Sequence, residues 1–273
     1  MLTSRALDLY RASEYAVSAT DFLSPGERVR TAGELNARIG SGMAGCFFWG
    51  GCRGAERCTA VFLPEWLMPD GMPPHRMPDD EERTEAFAAY LTEHPEIRDD
   101  IPVTGLLIRG SGFCTLTHRD FMGGILSTGV DRAVIGDIAV IGDAEALVFV
   151  QKRIADYLTK ELTRIGRDAV RAEVYDVSPD YMIPRRYEEM TVTVSSPRLD
   201  GIVKALTGES REAAADMVRD GLAELNYEAN LEAAADVHDG DVLSIRGYGK
   251  YRIGGLNGQT RSGRLKISCK KYL

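Results

Sequence analysis

The residues with the clearest chemical meaning are basic side chains near the end of the chain, where they could bind phosphate groups. The protein of 273 residues has a formal net charge of −8, which by itself argues against a polyanionic partner. The segment 246–273 nevertheless contains no acidic residue and holds a run of cations: Arg246, Lys250, Arg252, Arg261, Arg264, Lys266, Lys270 and Lys271. A basic segment in an acidic protein indicates a localised surface for an anion.

Two short helices predicted just before this segment carry further arginines. Apolar residues at helical spacing predict a first helix from Leu199, and Ser210 is the expected N-cap of the second. Arg211 and Arg219 are eight residues apart and fall on one face of that second helix. Because a guanidinium group can donate two parallel hydrogen bonds to anionic oxygens, this face suits a phosphate backbone.

Alternation in the basic segment predicts a sheet with one basic face. In a single strand over 242–253, even positions point one way and apolar odd positions point the other way, although Gly247 and Gly249 could introduce a bulge that disrupts this register. Asn257-Gly258 predicts a hairpin turn before a returning strand that alternates in the same manner. The basic face then holds Arg246, Tyr248, Lys250, Arg252, Arg264 and Lys266. We expect these side chains and the helix arginines to converge on one surface, with Tyr248 stacking on a base. The alternative is a solvated sheet face.

The elements that must position these residues indicate an α+β protein of three small domains. Residues 1–95 read as an α/β domain with an early helix, a second helix over Pro25 to Ile39, and strands near Cys46 and Cys58. Residues 96–178 follow a β-α-β-β-α-β order, which predicts a ferredoxin-like or RRM-like sandwich. Residues 179–195, with prolines and Arg185-Arg186, are expected to be a linker. Residues 196–273 form the third domain.

Several motifs carry a family resemblance. Arg198-Leu-Asp, Ser210-Arg211, Gly221 to Asn226, Gly240-Asp241 and the strand from Val242 look like the S4 RNA-binding domain. Arg246-Gly-Tyr-Gly-Lys-Tyr, together with the central Leu116-Thr-His-Arg-Asp-Phe-Met-Gly-Gly-Ile-Leu and Ile135-Gly-Asp-Ile, is similar to the YlmH-type S4 proteins of bacteria and plastids. The pairing of the two patterns is more specific than the S4 pattern alone.

The resemblance implies an N-terminal domain, a central RRM-like domain and a C-terminal S4 domain. It also implies a role on the large ribosomal subunit, in quality control of stalled complexes that carry peptidyl-tRNA. At matched positions it implies that Arg198, Ser210 and Arg211 face RNA. Lys204, Arg264 and Lys266 are peripheral candidates, and His118 and Arg119 are possible contacts in the central domain. One departure is Asn226, which Tyr227 follows where many S4 domains have Gly; this puts Asn226 in doubt as an RNA contact.

Three enzyme interpretations are weaker. His118-Arg119-Asp120 resembles a kinase catalytic loop, but Ile125 stands where that loop needs a magnesium-binding Asn. Arg198-Leu-Asp also resembles the pseudouridine synthases, in which an aspartate attacks the nucleotide, but too little chain follows Asp200 for their catalytic domain. No Gly-x-Gly-x-x-Gly loop supports a methyltransferase. We therefore expect a protein without catalytic activity, in which Asp200 is structural.

Other sequence features predict a simple cytoplasmic protein. The cysteines Cys46, Cys52, Cys58, Cys114 and Cys269 are odd in number and predict reduced thiols, and neither they nor the four histidines show metal-ligand spacing. No secretion signal or membrane span is expected, and no cofactor. The expected partners are RNA, ribosomal and possibly transfer RNA, and the large ribosomal subunit, bound by a monomer. An adaptor whose acidic part binds another protein is the alternative outside the enzymes.

Overall fold

A computed structural model describes residues 2–75, 80–184 and 187–272. The chain divides into two compact units, Met1–Pro184 and Arg185–Leu273. The fold is mixed α and β with three sheets, which confirms the predicted α+β class. Within the described ranges, every helix falls short of the length and apolar character that a membrane crossing requires.

The helices are short, and most lie in the first unit. In chain order they are α1 Leu2–Ala12, α2 Pro25–Ile39, α3 Glu81–Glu93, α4 Pro95–Asp100, α5 His118–Ser127, α6 Lys152–Glu161, α7 Leu199–Thr207 and α8 Arg211–Arg219. Single 3₁₀ turns cover Gly40–Gly45, Glu65–Leu67 and Arg132–Val134.

The strands form one small and two larger antiparallel sheets. They are β1 Ser18–Ala19, β2 Cys46–Trp49, β3 Thr59–Phe62, β4 Val103–Gly110, β5 Ile135–Gly142, β6 Glu145–Gln151, β7 Arg164–Ile165, β8 Asp168–Tyr175, β9 Tyr187–Val194, β10 Ala223–Leu225, β11 Glu228–Ala229, β12 Val242–Ile245, β13 Gly249–Gln259 and β14 Leu265–Tyr272.

The N-terminal part of the first unit is a three-stranded sheet with helices packed against it. The strand order is β1-β3-β2. Helix α2 begins where predicted, because Ser24 and Glu27 form a reciprocal capping box and Pro25 occupies the first helical turn. Its buried Ala32 and Leu35 pack with Phe48 and Phe62 of the sheet.

The central sheet has the strand order β5-β6-β4-β8-β7. Helix α5 connects β4 to β5 and α6 connects β6 to β7, which precedes β8. The four long strands therefore alternate with the two helices in the β-α-β-β-α-β order predicted for this segment. Leu106, Ile108 and Val148 point toward the helices and pack with Phe121 and Leu158.

The opposite face of this central sheet is buried under the N-terminal part of the chain. Leu147 and Phe149 share one apolar core with Phe22, Phe47 and Phe87. A Cβ atom added at Gly51 would lie 2.4 Å from a ring carbon of Phe149, so the approach is close. The boundary between two domains that the sequence predicts near residue 95 stays a prediction. Residues before and after it share a core within one compact unit.

The second unit is a six-stranded sheet with two helices on one face. Its strand order is β11-β10-β12-β13-β14-β9. Helices α7 and α8 contribute Ile202, Val203 and Val218 to a core with Ile253 and Ile267 of the sheet. Gly208 ends α7 in the left-handed conformation, which lets the chain turn directly into α8.

The segment 179–195, predicted to be a linker, contains a strand. Residues 187–194 form β9, which pairs along its whole length with β14 as the edge strand of the second unit's sheet. Val192 and Val194 are buried in its core. The pairing partner lies more than seventy residues later in the chain, so local composition could not reveal this strand. Arg185 and Arg186, part of the same prediction, lie outside the described residues.

Candidate nucleic-acid interface

Two arginines of the helix pair in the second unit converge on one buried carboxylate. Arg198 stands at the N-cap position of α7, and its Nε and Nη2 atoms donate to the two carboxylate oxygens of Asp200 at 3.2 and 3.3 Å. Arg211, the first residue of α8, donates from Nε and Nη2 to Oδ2 of Asp200, both at 3.3 Å. We call these three residues the arginine pair and its carboxylate.

The exposure of these side chains shows what the arrangement can do. The Asp200 side chain is 5% exposed, whereas those of Arg198 and Arg211 are 39% and 58% exposed. One buried negative charge therefore fixes two guanidinium groups whose remaining N–H donors can reach solvent, and the group keeps a net positive charge. Two fixed, partly exposed guanidinium groups can donate hydrogen bonds to the anionic oxygens of a phosphate group.

The other candidates on the helix pair have simpler surroundings. Ser210 is the N-cap of α8, as predicted, and its Oγ accepts a hydrogen bond from the Ala213 amide at 3.1 Å. Lys204 is exposed on α7. Arg219 donates to Asp216 at 2.5 Å, so an acidic neighbour on the same helix compensates its charge. The paired phosphate site that the spacing of Arg211 and Arg219 suggested stays a prediction.

The single strand predicted over 242–253 is wrong. The chain forms a hairpin instead, with β12 ending at Ile245, a turn over residues 246–248, and β13 beginning at Gly249. Gly247 has a φ of 86°, which only glycine adopts readily, so the turn interrupts the alternation. Arg246 and Tyr248 therefore lie in a turn rather than on a strand face.

The register of this hairpin separates the predicted cations into two groups. Leu243, Tyr251 and Ile267 point into the core beneath α7 and α8. Alternation then places Lys250, Arg252, Lys266 and Lys270 on the face away from the helices. The expectation that the basic side chains of helices and sheet converge on one surface is therefore wrong. The arginine pair lies on the helix side, and the sheet cations lie on the other.

Tyr248 connects the turn to the helix pair. Its hydroxyl donates to Oε1 of Glu209 at 2.7 Å, and Glu209 lies between α7 and α8. This hydrogen bond raises the pKa of Tyr248. Its backbone oxygen also accepts from the Tyr251 hydroxyl at 3.1 Å. The tyrosine thus holds the turn beside the helices, and its predicted stacking on a base remains a prediction.

The remaining sheet candidates lie along the C-terminal hairpin. Arg264 follows the tip of the β13–β14 hairpin and donates from Nη2 to the Thr193 carbonyl at 2.7 Å. Lys266 is exposed and pairs in register with Thr193 of β9. Lys250 contacts two tyrosine rings, Tyr227 and Tyr272, that the sequence interpretation did not select. Alternation along β14 could have indicated Tyr272, whereas Tyr227 lies in the turn between β10 and β11 and had no such signal.

In the central part of the first unit, His118 and Arg119 are exposed at the start of α5. Asp120 belongs to the capping box of α5: its Oδ2 accepts hydrogen bonds from the amide of Thr117 at 2.8 Å and from the Thr117 hydroxyl at 2.6 Å. These hydrogen bonds lower the pKa of Asp120. The His-Arg-Asp sequence is thus the first turn of a capped helix rather than a catalytic loop.

The buried sheet face limits how the central part could contact a nucleic acid. RNA-recognition modules stack bases on the sheet face opposite their helices. Here Val103, Leu147 and Phe149 on that face are covered by aromatic residues from the N-terminal part of the same unit. A contact in this part of the chain would have to use the helix side and its loops, where His118 and Arg119 lie.

The cysteines take no part in these surfaces. Cys46, Cys52, Cys58 and Cys269 are buried and Cys114 is exposed, and these five described residues form no disulfide with one another. Burial raises the pKa of Cys46 to about 12, which makes that thiol unreactive. In the part of the chain that the structure describes, no group of three or more His, Cys, Asp or Glu side chains could hold a metal ion.

The central part of the chain matches a known protein family. Residues 106–178, which contain most of the central sheet, match the family model described as "Putative RNA-binding domain in YlmH". This match confirms, for the central segment, the resemblance to YlmH-type RNA-binding proteins that the sequence motifs indicated.

Two relatives are similar over long stretches. The chain is 28% identical, over 259 residues, to the "Ribosome-associated protein quality control protein P2" of Bacillus subtilis strain 168, covering 94% of this chain and 88% of that protein. The solved structure of "Cell division protein ylmH from Streptococcus pneumoniae" is 18% identical, with a TM-score of 0.41, and covers 64% of this chain and 88% of that one.

Proposed function

We propose that this protein binds ribosomal RNA on the large ribosomal subunit and takes part, without catalysis, in quality control of stalled ribosomes. The observation that carries the proposal is the arginine pair and its carboxylate: Arg198 and Arg211 held by buried Asp200 in the second unit. The name of the Bacillus subtilis relative, whose similarity covers nearly the whole chain, supports the ribosomal context. The protein then acts in the cytoplasm, as a monomer, and contact with peptidyl-tRNA is part of the same proposal.

The surroundings of Asp200 also favour a binding role over the pseudouridine synthase alternative. A nucleophilic aspartate must reach the target nucleotide, but the Asp200 side chain is 5% exposed. Both of its oxygens accept hydrogen bonds from arginines. Its chemistry is therefore electrostatic: it orients two cations for an anionic ligand.

The arginine pair can be tested by charge reversal in the full chain. We expect Arg211→Glu, and likewise Arg198→Glu, to weaken binding of a structured ribosomal RNA fragment by about tenfold or more, and to lower the slope of log affinity against log salt by roughly one per lost phosphate contact. Fluorescence anisotropy at several salt concentrations measures both quantities.

A matched control is Arg11→Glu, which makes the same charge change on an exposed helical arginine of the first unit. This variant should keep both the affinity and the slope close to those of the unmodified protein. If Arg198→Glu and Arg211→Glu behave like Arg11→Glu, the arginine pair is not the RNA-binding site.

A further inference from the structure

The sheet of the second unit carries a second surface, on the face away from α7 and α8. Lys250 lies there between two aromatic rings, with its Nζ atom 4.9 Å from the ring centre of Tyr227 and 4.7 Å from that of Tyr272. Tyr272 in turn meets Tyr187 edge to face, with ring centres 5.0 Å apart. We call Tyr187, Tyr227, Lys250, Lys270 and Tyr272 the tyrosine–lysine face.

Positive charge dominates the outward positions of the strands around this face. Lys270 lies 5.9 Å from the ring centre of Tyr187 and 3.7 Å from Oε1 of Glu189. Arg252 pairs in register with Lys270, and Lys266 follows two outward positions further along β14. The strand register places two acids, Glu189 and Glu224, on the same side. Among the described outward positions of these strands, four cations accompany two carboxylates, which favours an anionic chain as the ligand.

The position of Tyr227 is enforced by an unusual turn. Asn226 and Tyr227 form the two-residue turn between β10 and β11, with φ values of 52° and 68°. Side chains other than Gly, Asn and Asp rarely adopt this left-handed conformation. Asn226 holds the turn, because its Nδ2 donates to Asp241 at 2.9 Å and its Oδ1 accepts from the Val242 amide at 3.0 Å. The chain thus keeps a tyrosine where a glycine would fit with less strain.

From these observations we propose that the tyrosine–lysine face binds a single-stranded segment of RNA by stacking bases on its tyrosines, independently of the arginine pair. The proposal deepens the proposed function, on which it rests. Proteins that bind single-stranded nucleic acids combine aromatic rings, which stack on bases, with cations, which contact phosphates. An acidic peptide would use the cations but has no need of three rings, so RNA is the partner that the composition favours.

The test uses the full chain and two RNA probes, a fluorescent single-stranded oligouridine and the structured fragment used for the arginine pair. Tyr227→Gly removes the ring and suits the left-handed turn, so its fold should persist, as circular dichroism can verify. We expect it to weaken oligouridine binding about tenfold, the size of one stacked base, while binding of the structured fragment remains. Tyr227→Phe, which keeps the ring, should bind oligouridine like the unmodified protein.

The outcomes separate the two proposals. Lys250→Gln is a second variant and should also weaken oligouridine binding, whereas Arg211→Glu should weaken only the structured fragment. If oligouridine binds Tyr227→Gly and Lys250→Gln with unchanged affinity, the tyrosine–lysine face does not bind RNA. If an oligoglutamate of equal charge binds as tightly as oligouridine, charge alone accounts for binding, and the proposal that the tyrosines stack on bases is wrong. Neither result affects the test of the arginine pair, which measures binding of the structured fragment alone.

Discussion

At the scale of single residues, Asp200 decides how the helix arginines behave. Without a partner, Arg198 and Arg211 would repel each other and sample many rotamers. The buried carboxylate offsets their repulsion and fixes both guanidinium groups. A carboxylate that accepts several charge-assisted hydrogen bonds in a buried position is costly to remove, because its partners lose their orientation.

This view makes a prediction whose sign is informative. Asp200→Asn removes a negative charge, so charge alone would strengthen RNA binding. Because the neutral amide holds the guanidinium groups less firmly, we expect binding of the structured fragment to weaken instead, by roughly threefold to tenfold. Anisotropy measurements decide between the two, and tighter binding by Asp200→Asn would show that Asp200 does not position the arginines for RNA.

A second residue, Asn226, should contribute to the stability of the fold rather than to RNA binding. Its side chain holds the turn through Asp241 and the Val242 amide. Asn226→Ala leaves those groups without this partner and places alanine in a left-handed conformation, which together should lower the free energy of unfolding by about 1–3 kcal/mol. Urea denaturation monitored by circular dichroism measures the change. A stability equal to that of the unmodified protein would mean that the turn does not depend on Asn226.

At the scale of elements, some segments could be predicted from local patterns and others could not. Helix α2 was predictable because Pro25 starts it and an apolar face continues to Ile39. The single strand over 242–253 failed because Gly247 permits a turn that alternation alone does not show. Strand β9 failed because its stabilising partner, β14, is distant in sequence. The missed turn is the reason that Arg246 and Tyr248 do not lie on the sheet face that alternation assigned to them.

The site was predictable to a similar degree. Arg198 and Arg211 were selected from their motif, and the structure brings both to Asp200, which was expected to be structural. The contacts of Tyr227 with Lys250 depend on strand pairing and on a turn in the left-handed conformation, and no local sequence rule supplies either. Pairwise contacts between distant strands are therefore what the sequence interpretation lacked.

Helix α5 gives a test that depends on pH. Hydrogen bonds from Thr117 hold the pKa of Asp120 below its usual value of 3.8. A carboxylate with a lowered pKa stabilises the folded state above its unfolded pKa, and this contribution disappears as the pH falls through the folded pKa. Asp120→Ala should therefore lower the melting temperature at neutral pH, and its difference from the unmodified protein should shrink below about pH 3. Thermal melts at both pH values check this; an equal difference at both would contradict it.

At the scale of the whole molecule, charge and burial assign different roles to the two units. The central sheet of the first unit, most of which lies in the segment that matches the RNA-binding family model, has its face opposite the helices buried under N-terminal aromatic residues. The second unit has exposed cations on both of its sides, through the arginine pair and the tyrosine–lysine face. An acidic protein can still present a local positive surface to RNA, because residues 246–273 of the second unit carry eight Lys and Arg side chains and no acidic one.

The most direct test of the central claim is co-sedimentation of the full chain with purified large ribosomal subunits in a sucrose gradient. The account predicts that the unmodified protein and the Arg11→Glu control sediment with the subunits, whereas the double variant Arg198→Glu, Arg211→Glu stays at the top of the gradient. Failure of the unmodified protein to sediment with the subunits, or equal sedimentation of the double variant, would contradict it.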